Sequence, residues 1–159
     1  MNSLVVYGSR YGNTRRIAEA IVAQLVKHGD ARLLPAEEVT SAAVEQADLV
    51  VVGGPTEGHR MSVPLGELFD RLGEGALEGM AAAAFDTRLR WPLLLSGSAA
   101  FGIAKRLERA GADYVVQPVS FFVGGKPTAL EAGEIERAAV WAASLASRVE
   151  SKRSVLTAC

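Results

Sequence analysis

The chain has 159 residues, 49% of them apolar, and its 17 basic and 18 acidic side chains leave a formal net charge of −1. That is the size of one domain with one buried core, and the balanced charge argues against a nucleic-acid or membrane-surface binder. No apolar run reaches the roughly 18 residues of a membrane span, the N-terminus lacks a signal-peptide layout, and the single cysteine, Cys159, has no partner for an internal disulfide, so a cytoplasmic location is expected and Cys159 is given no catalytic role.

In chain order, Leu4–Tyr7 reads as a buried strand. Residues 13–28 follow as a helix, with Ile17, Ala18, Ile21, Val22 and Leu25 at helical spacing and Gly29 as its stop. Ala31–Leu34 is a short strand closed by Pro35, and residues 37–46 make a short helix. Leu49–Val52 then runs apolar without alternation into Gly53-Gly54-Pro55-Thr56, the pattern of a central parallel strand buried on both faces. Helices are expected over 64–72, 98–110 and 131–149, and strands over 80–85 and 114–123, the last bent at Pro118. Residues 1–149 are therefore taken as one domain and 150–159 as a flexible tail. Strands alternating with helices predict an α/β doubly wound, three-layer sandwich around a five-stranded parallel sheet. Ligands of such sheets lie beyond the carboxyl ends of the strands, where strand order reverses.

The loop after the first strand carries the clearest chemistry. Gly8-Ser9-Arg10-Tyr11-Gly12-Asn13-Thr14 runs directly into a helix, and backbone N–H groups at a helix start, helped by hydroxyls, form an anion site suited to phosphate. The P-loop spacing is absent, because only three residues separate Gly8 from Gly12 and no Lys-Ser/Thr follows. The Gly-x-Gly start of a dinucleotide fingerprint is absent too. Ser9, Thr14 and Asn13 are candidate donors, and Asn13 is also a candidate helix cap. After the third strand comes Gly54-Pro55-Thr56-Glu57-Gly58-His59-Arg60-Met61, and after the fourth Asp86-Thr87-Arg88-Leu89-Arg90-Trp91. Ser96–Gly111 holds a second glycine–hydroxyl cluster before a helix, for which a plain cap is expected rather than a second anion site. No metal-ligand cluster and no Ser–His–Asp set is found.

The hydroxyl-rich first loop resembles the Thr-x-Thr-Gly-x-Thr loop with which flavodoxins hold the phosphate of FMN. Ser9 stands at the first hydroxyl, Thr14 at the last, and Tyr11 replaces the middle threonine. The Gly-Pro-Thr turn resembles the family's second flavin loop, so the chain is similar to a short-chain flavodoxin over residues 3–148. That resemblance implies the sheet order 2-1-3-4-5 and non-covalent FMN. It implies cofactor contacts from Ser9, Arg10, Tyr11, Gly12, Asn13 and Thr14, from Pro55, Thr56, Glu57, Gly58 and His59, and from Asp86, Thr87, Arg88 and Trp91. A Glu57–Gly58 peptide able to turn over would couple the backbone to flavin redox state. The third loop departs from the family: the usual glycines and tyrosine are missing, and Trp91 is the aromatic placed to cover a ring or to pack in the core. Arg10, Arg60, Arg88 and Arg90 are expected to favour the reduced, anionic flavin if they face it. The implied function is electron transfer between a reductase and a redox partner protein or small molecule. An NAD(P)H- or quinone-dependent FMN oxidoreductase and a flavin-free binding module are the alternatives, since fold alone does not choose.

Overall fold

The computed structural model describes residues 1–8 and 11–157, with the side chains of Tyr114, Val115, Leu156 and Thr157 outside the description. Ser9 and Arg10, two of the expected phosphate-loop residues, and Cys159 also lie outside the described residues.

Six strands form one sheet: β1 (Ser3–Tyr7), β2 (Ala31–Pro35), β3 (Leu49–Pro55), β4 (Ala81–Leu89), β5 (Tyr114–Gly124) and β6 (Ala129–Leu130). Their order is β2-β1-β3-β4-β5-β6. The first five pair in parallel in the expected order; the sixth, antiparallel to β5 at the sheet edge, is an addition to the expected five. It forms because the turn at 125–128 folds the chain back on the end of β5. The helices are α1 (Asn13–Leu25), α2 (Ser41–Glu45), α3 (Val63–Leu72), α4 (Leu93–Ser96), α5 (Ala99–Arg109) and α6 (Glu134–Thr157).

Alternate side chains of the central strands feed two cores, as a period of two requires. Val5, Val51, Ala83 and Phe85 face α1 and α6, with Ile17, Ile21, Ala142 and Leu145. Leu4, Val6, Val50, Val52, Ala82 and Ala84 face α3 and α5, with Leu65, Leu68, Ile103 and Leu107. Burial on both faces is what the unbroken apolar run of β3 foretold.

Three boundaries differ from the sequence expectation. β4 continues four residues past Phe85, because Asp86–Leu89 pair in register with Ser120–Val123 of β5. The expected bend at Pro118 is a register shift between Ala83 and Phe85, where one β4 residue faces two of β5. The last helix does not stop at Val149 but runs to Thr157. Its extra turns are tied down from outside: Glu150 meets His28 Nδ1 at 3.1 Å and Arg153 meets Asp48 at 2.8 Å. Those partners are distant in sequence, so local polarity alone suggested fraying.

Candidate functional site

The carboxyl ends of β1, β3 and β4 bring the three expected loops to one end of the sheet, at the point where strand order reverses. The first loop meets α1 at Gly12, whose φ of 82° puts it in the left-handed region that glycine enters without strain. Gly12, not Asn13, occupies the N-cap position, and it brings no capping side chain of its own. The Asn13 amide instead donates to the Thr128 carbonyl at 3.2 Å, stapling α1 to the turn before β6. The helix start carries no acidic residue in its first turn, while Arg15 and Arg16 follow at once. A positive helix end with no acidic residue in its first turn suits an anion. Thr14 is buried and shares a 2.8 Å hydrogen bond with Thr87 Oγ1 of β4, so the first and third loops are joined through two hydroxyls. Tyr11 projects into solvent.

In the second loop, Gly58 and His59 have φ of 51° and 70°. Glu57 and Arg60 exchange backbone hydrogen bonds of 3.0 Å in both directions. This is a two-residue turn of the kind that needs positive φ at both centres. The Glu57 carbonyl accepts the Arg60 N–H, which holds the Glu57–Gly58 peptide in one orientation. His59 forms a parallel bridge with Gly97. A Cβ on Gly97 would lie 2.7 Å from His59 Nδ1, so the second loop presses on the chain entering α5. Pro55 closes β3 against Thr87.

The expected third-loop residues Asp86, Thr87 and Arg88 lie on the extended end of β4, and Asp86 is the centre of its polar contacts. It is 0% exposed, and its Oδ2 accepts from Thr56 Oγ1 at 3.0 Å, Ser98 Oγ at 2.6 Å and the Ala100 N–H at 3.0 Å. Thr56 Oγ1 in turn accepts the Ala99 N–H at 2.9 Å. The first N–H groups of α5 are thus capped by Thr56, just past β3, and Asp86 of β4, while Ser98 makes no cap of its own. The second glycine–hydroxyl cluster is a capped helix start, filled by the chain's own carboxylate. Asp86 Oδ1 is buried with no partner. Since an orphaned buried acceptor costs roughly 1–3 kcal/mol, it marks a place where a donor fits. Ser62 Oγ is also buried and unpartnered, and lies 2.7 Å from where a Cβ on Gly8 would sit. Ser62 has no signal in the sequence; Ser98 belongs to the second glycine–hydroxyl cluster, but its bond to Asp86 is set by the tertiary structure.

The arginines have other partners. Arg88 donates to Ser120 Oγ (2.9 Å), Ser96 Oγ (2.9 Å) and the carbonyls of Trp91 (3.0 Å) and Leu89 (3.3 Å). Arg90 forms a 2.7 Å salt bridge with Glu131 and stacks 4.1 Å from the Phe122 ring centre. The hydrogen bond to Glu131 holds the Arg90 guanidinium above its ordinary range. Trp91 is more than half exposed, so the core-packing reading of its indole does not hold. The leucines after it are exposed too. Beside the site, Glu134 is drawn below its ordinary range: burial pushes it up, but the Arg137 guanidinium and the Phe122 N–H outweigh that.

These observations define a parallel α/β sandwich with a glycine-led helix start and polar chain segments at its topological switch point. The flavodoxin family model matches residues 5–87, and the chain belongs to the flavodoxin family, whose members bind FMN. A flavodoxin of Aquifex aeolicus is 34% identical over 93 residues, 55% of this chain and 50% of that one, so the match spans half the length of that relative. Among solved structures, an archaeal flavodoxin superposes with a TM-score of 0.73 at 23% identity, covering 94% of this chain and 99% of that one. Flavodoxin 1 of Bacillus cereus gives 0.74 at 19% identity, covering 90% and 95%. Rubredoxin oxygen:oxidoreductase of Desulfovibrio gigas gives 0.76 at 16% identity, covering 95% of this chain but 36% of that protein. No helix among the described residues is long and apolar enough to cross a membrane.

Proposed function

We propose that this protein binds FMN non-covalently and carries electrons between a reductase and a redox partner. The observation that carries the reading is the start of α1, where Gly12 turns left-handed, the first turn holds no acidic residue and the Thr14 hydroxyl is buried and bonded to Thr87 of β4. In this reading the α1 amides and Thr14 hold the phosphate, with Ser9 and Arg10 as their expected companions in the loop. Pro55, Thr56 and the 57–59 turn border the ring on one side; Asp86, Thr87, Arg88 and Trp91 form the opposite border.

Bound FMN supplies reversible one- or two-electron chemistry, while the protein sets position and potential. The residues of this chain act by orientation. Thr87 steadies Thr14, and Asp86 fixes Thr56 and the start of α5. Arg88 fastens the segment after β4, so that Trp91 is presented from a hydrogen-bonded frame. The unpartnered Asp86 Oδ1 supports an N–H donor fitting beside β4.

Titration of the purified chain with FMN, followed by flavin fluorescence and the visible spectrum, tests the proposal. Saturable binding at one site is expected, weakened by about 1.5–3 kcal/mol in Thr14→Ala, the scale of a hydrogen bond to a charged group. A chain that stays colourless in excess FMN would refute it.

A further inference from the structure

Two threonine hydroxyls join the walls of the site. Thr14, in the first turn of α1, is 1% exposed, and Thr87, near the end of β4, is 4% exposed. Their Oγ1 atoms lie 2.8 Å apart across 73 positions of chain. Thr87 is held on both sides, paired with Pro55 of β3 and Phe121 of β5, and its carbonyl accepts the Thr56 N–H at 3.0 Å. Farther along α1, Ile17, Ala18 and Ile21 pack on the sheet through apolar side chains. A contact needed only for packing would be apolar at Thr14 as well.

The protons of the pair do not balance. Each hydroxyl has one proton and two lone pairs, so two hydroxyls in contact spend one proton on each other and keep one. Among the described residues the contact between them is the one hydrogen bond that either side-chain oxygen makes, and the spare proton has no acceptor. A buried donor in that state costs about 1–3 kcal/mol. Such a pair suits a ligand that brings lone pairs and no proton, as an ionised phosphate does. The first N–H groups of α1, which have no acceptor within the helix, border the same place.

We infer that Thr87 is a positioning residue for the cofactor's phosphate, its hydroxyl donating to Thr14 Oγ1 and so committing the Thr14 proton to the oxyanion. The inference rests on the FMN reading. Its direction follows from charge: a hydrogen bond to an ionised acceptor is about twice as strong as one between neutral groups. The pair therefore gains most when Thr14, the member at the helix start, gives its proton to the anion and takes one from Thr87. Donation from Thr87 also polarises the Thr14 hydroxyl, which makes it a better donor. Thr87 thus acts through Thr14, and it serves the phosphate rather than the ring.

The test titrates the full chain with FMN and with riboflavin, which lacks the phosphate, by flavin fluorescence, and with inorganic phosphate by calorimetry. Thr14→Val should weaken FMN binding about tenfold or more, the scale of a hydrogen bond to a charged group. Thr87→Val should weaken it about three- to tenfold, the scale of a neutral one. The double variant should bind within about twofold of Thr14→Val, because Thr87 has no route to the phosphate without Thr14. Thr87→Ser keeps the donor and should stay within about twofold of the parent. Inorganic phosphate should follow FMN through the series, while riboflavin affinity stays within about twofold of the parent and reports an intact fold. Losses that multiply in the double variant would make Thr87 a direct ligand contact and overturn the inference. Equal losses of riboflavin and FMN, or Thr87→Ser as weak as Thr87→Val, would do so too, by making the pair a packing strut. A parent that binds inorganic phosphate with this Thr87 dependence but takes up no flavin would refute the FMN reading and leave the assignment standing. FMN binding unchanged in Thr87→Val would do the reverse, and a parent that binds neither would end both.

Discussion

Replacing Gly53 by alanine tests how closely the sheet is packed beneath the site. Gly53 faces Phe85 across the β3–β4 ladder. A Cβ there would lie 2.1, 2.2 and 2.3 Å from the Phe85 Cζ, Cε1 and Cε2 atoms, where carbon contacts settle near 3.5–4.0 Å. The ring would have to retreat by more than about 1 Å, and it has little room. Phe85 is fully buried and meets Phe121 at 6.0 Å and Trp141 at 6.3 Å, both edge-on. Overpacking of a rigid site costs about 1–3 kcal/mol, and the depth of this overlap argues for the upper end. With an unfolding entropy of about 2.1 cal/mol/K per residue, a loss of ~3 kcal/mol lowers Tm by roughly 9 °C. Urea denaturation of Gly53→Ala, Phe85→Leu and the double variant measures the effect. Shortening the ring should relieve the clash, so that the double variant is more stable than the sum of the singles by about 1–2 kcal/mol. Because the Gly53 carbonyl accepts the Gly8 N–H at 2.9 Å, Gly53→Ala should also weaken FMN binding. Strict additivity, or a Gly53→Ala cost below about 0.5 kcal/mol, would refute the packing argument.

Asp86→Ala should lower stability by about 3 kcal/mol, since a buried hydrogen-bonded acid leaves several donors unpaired; hydrogen exchange should accelerate at the Ala99 and Ala100 amides, and unchanged protection there would show that Asp86 does not cap α5. Glu134 gives a pH prediction. Its folded pKa lies below its unfolded value, so its contribution is present above the unfolded pKa near 4.3 and is lost as pH falls through the folded one. Glu134→Gln should therefore be less stable than the parent at pH 7, by about 1–2 kcal/mol, with the gap closing in acid; a gap independent of pH would remove Glu134 from the acid limb.

The amino-acid sequence by itself determined the alternation of strands and helices, the double-sided burial of β3 and the start of α1 directly after the Gly8–Gly12 segment. Those features depend on periodicity, on a run of apolar residues and on the residues at a single chain junction, all of them local. Asn13 shows where local reading ended: its type suits a cap, yet the Thr128 carbonyl, 115 positions away, takes its amide. Only the tertiary structure decided that Asp86 caps a helix it precedes, that Arg88 and Arg90 have partners in the protein, that β4 outruns its apolar segment by pairing with β5, and that Trp91 and its leucines face water. Each of these depends on which groups the sheet brings within hydrogen-bonding reach. For a polar side chain, desolvation and the nearest available partner outweigh intrinsic preference.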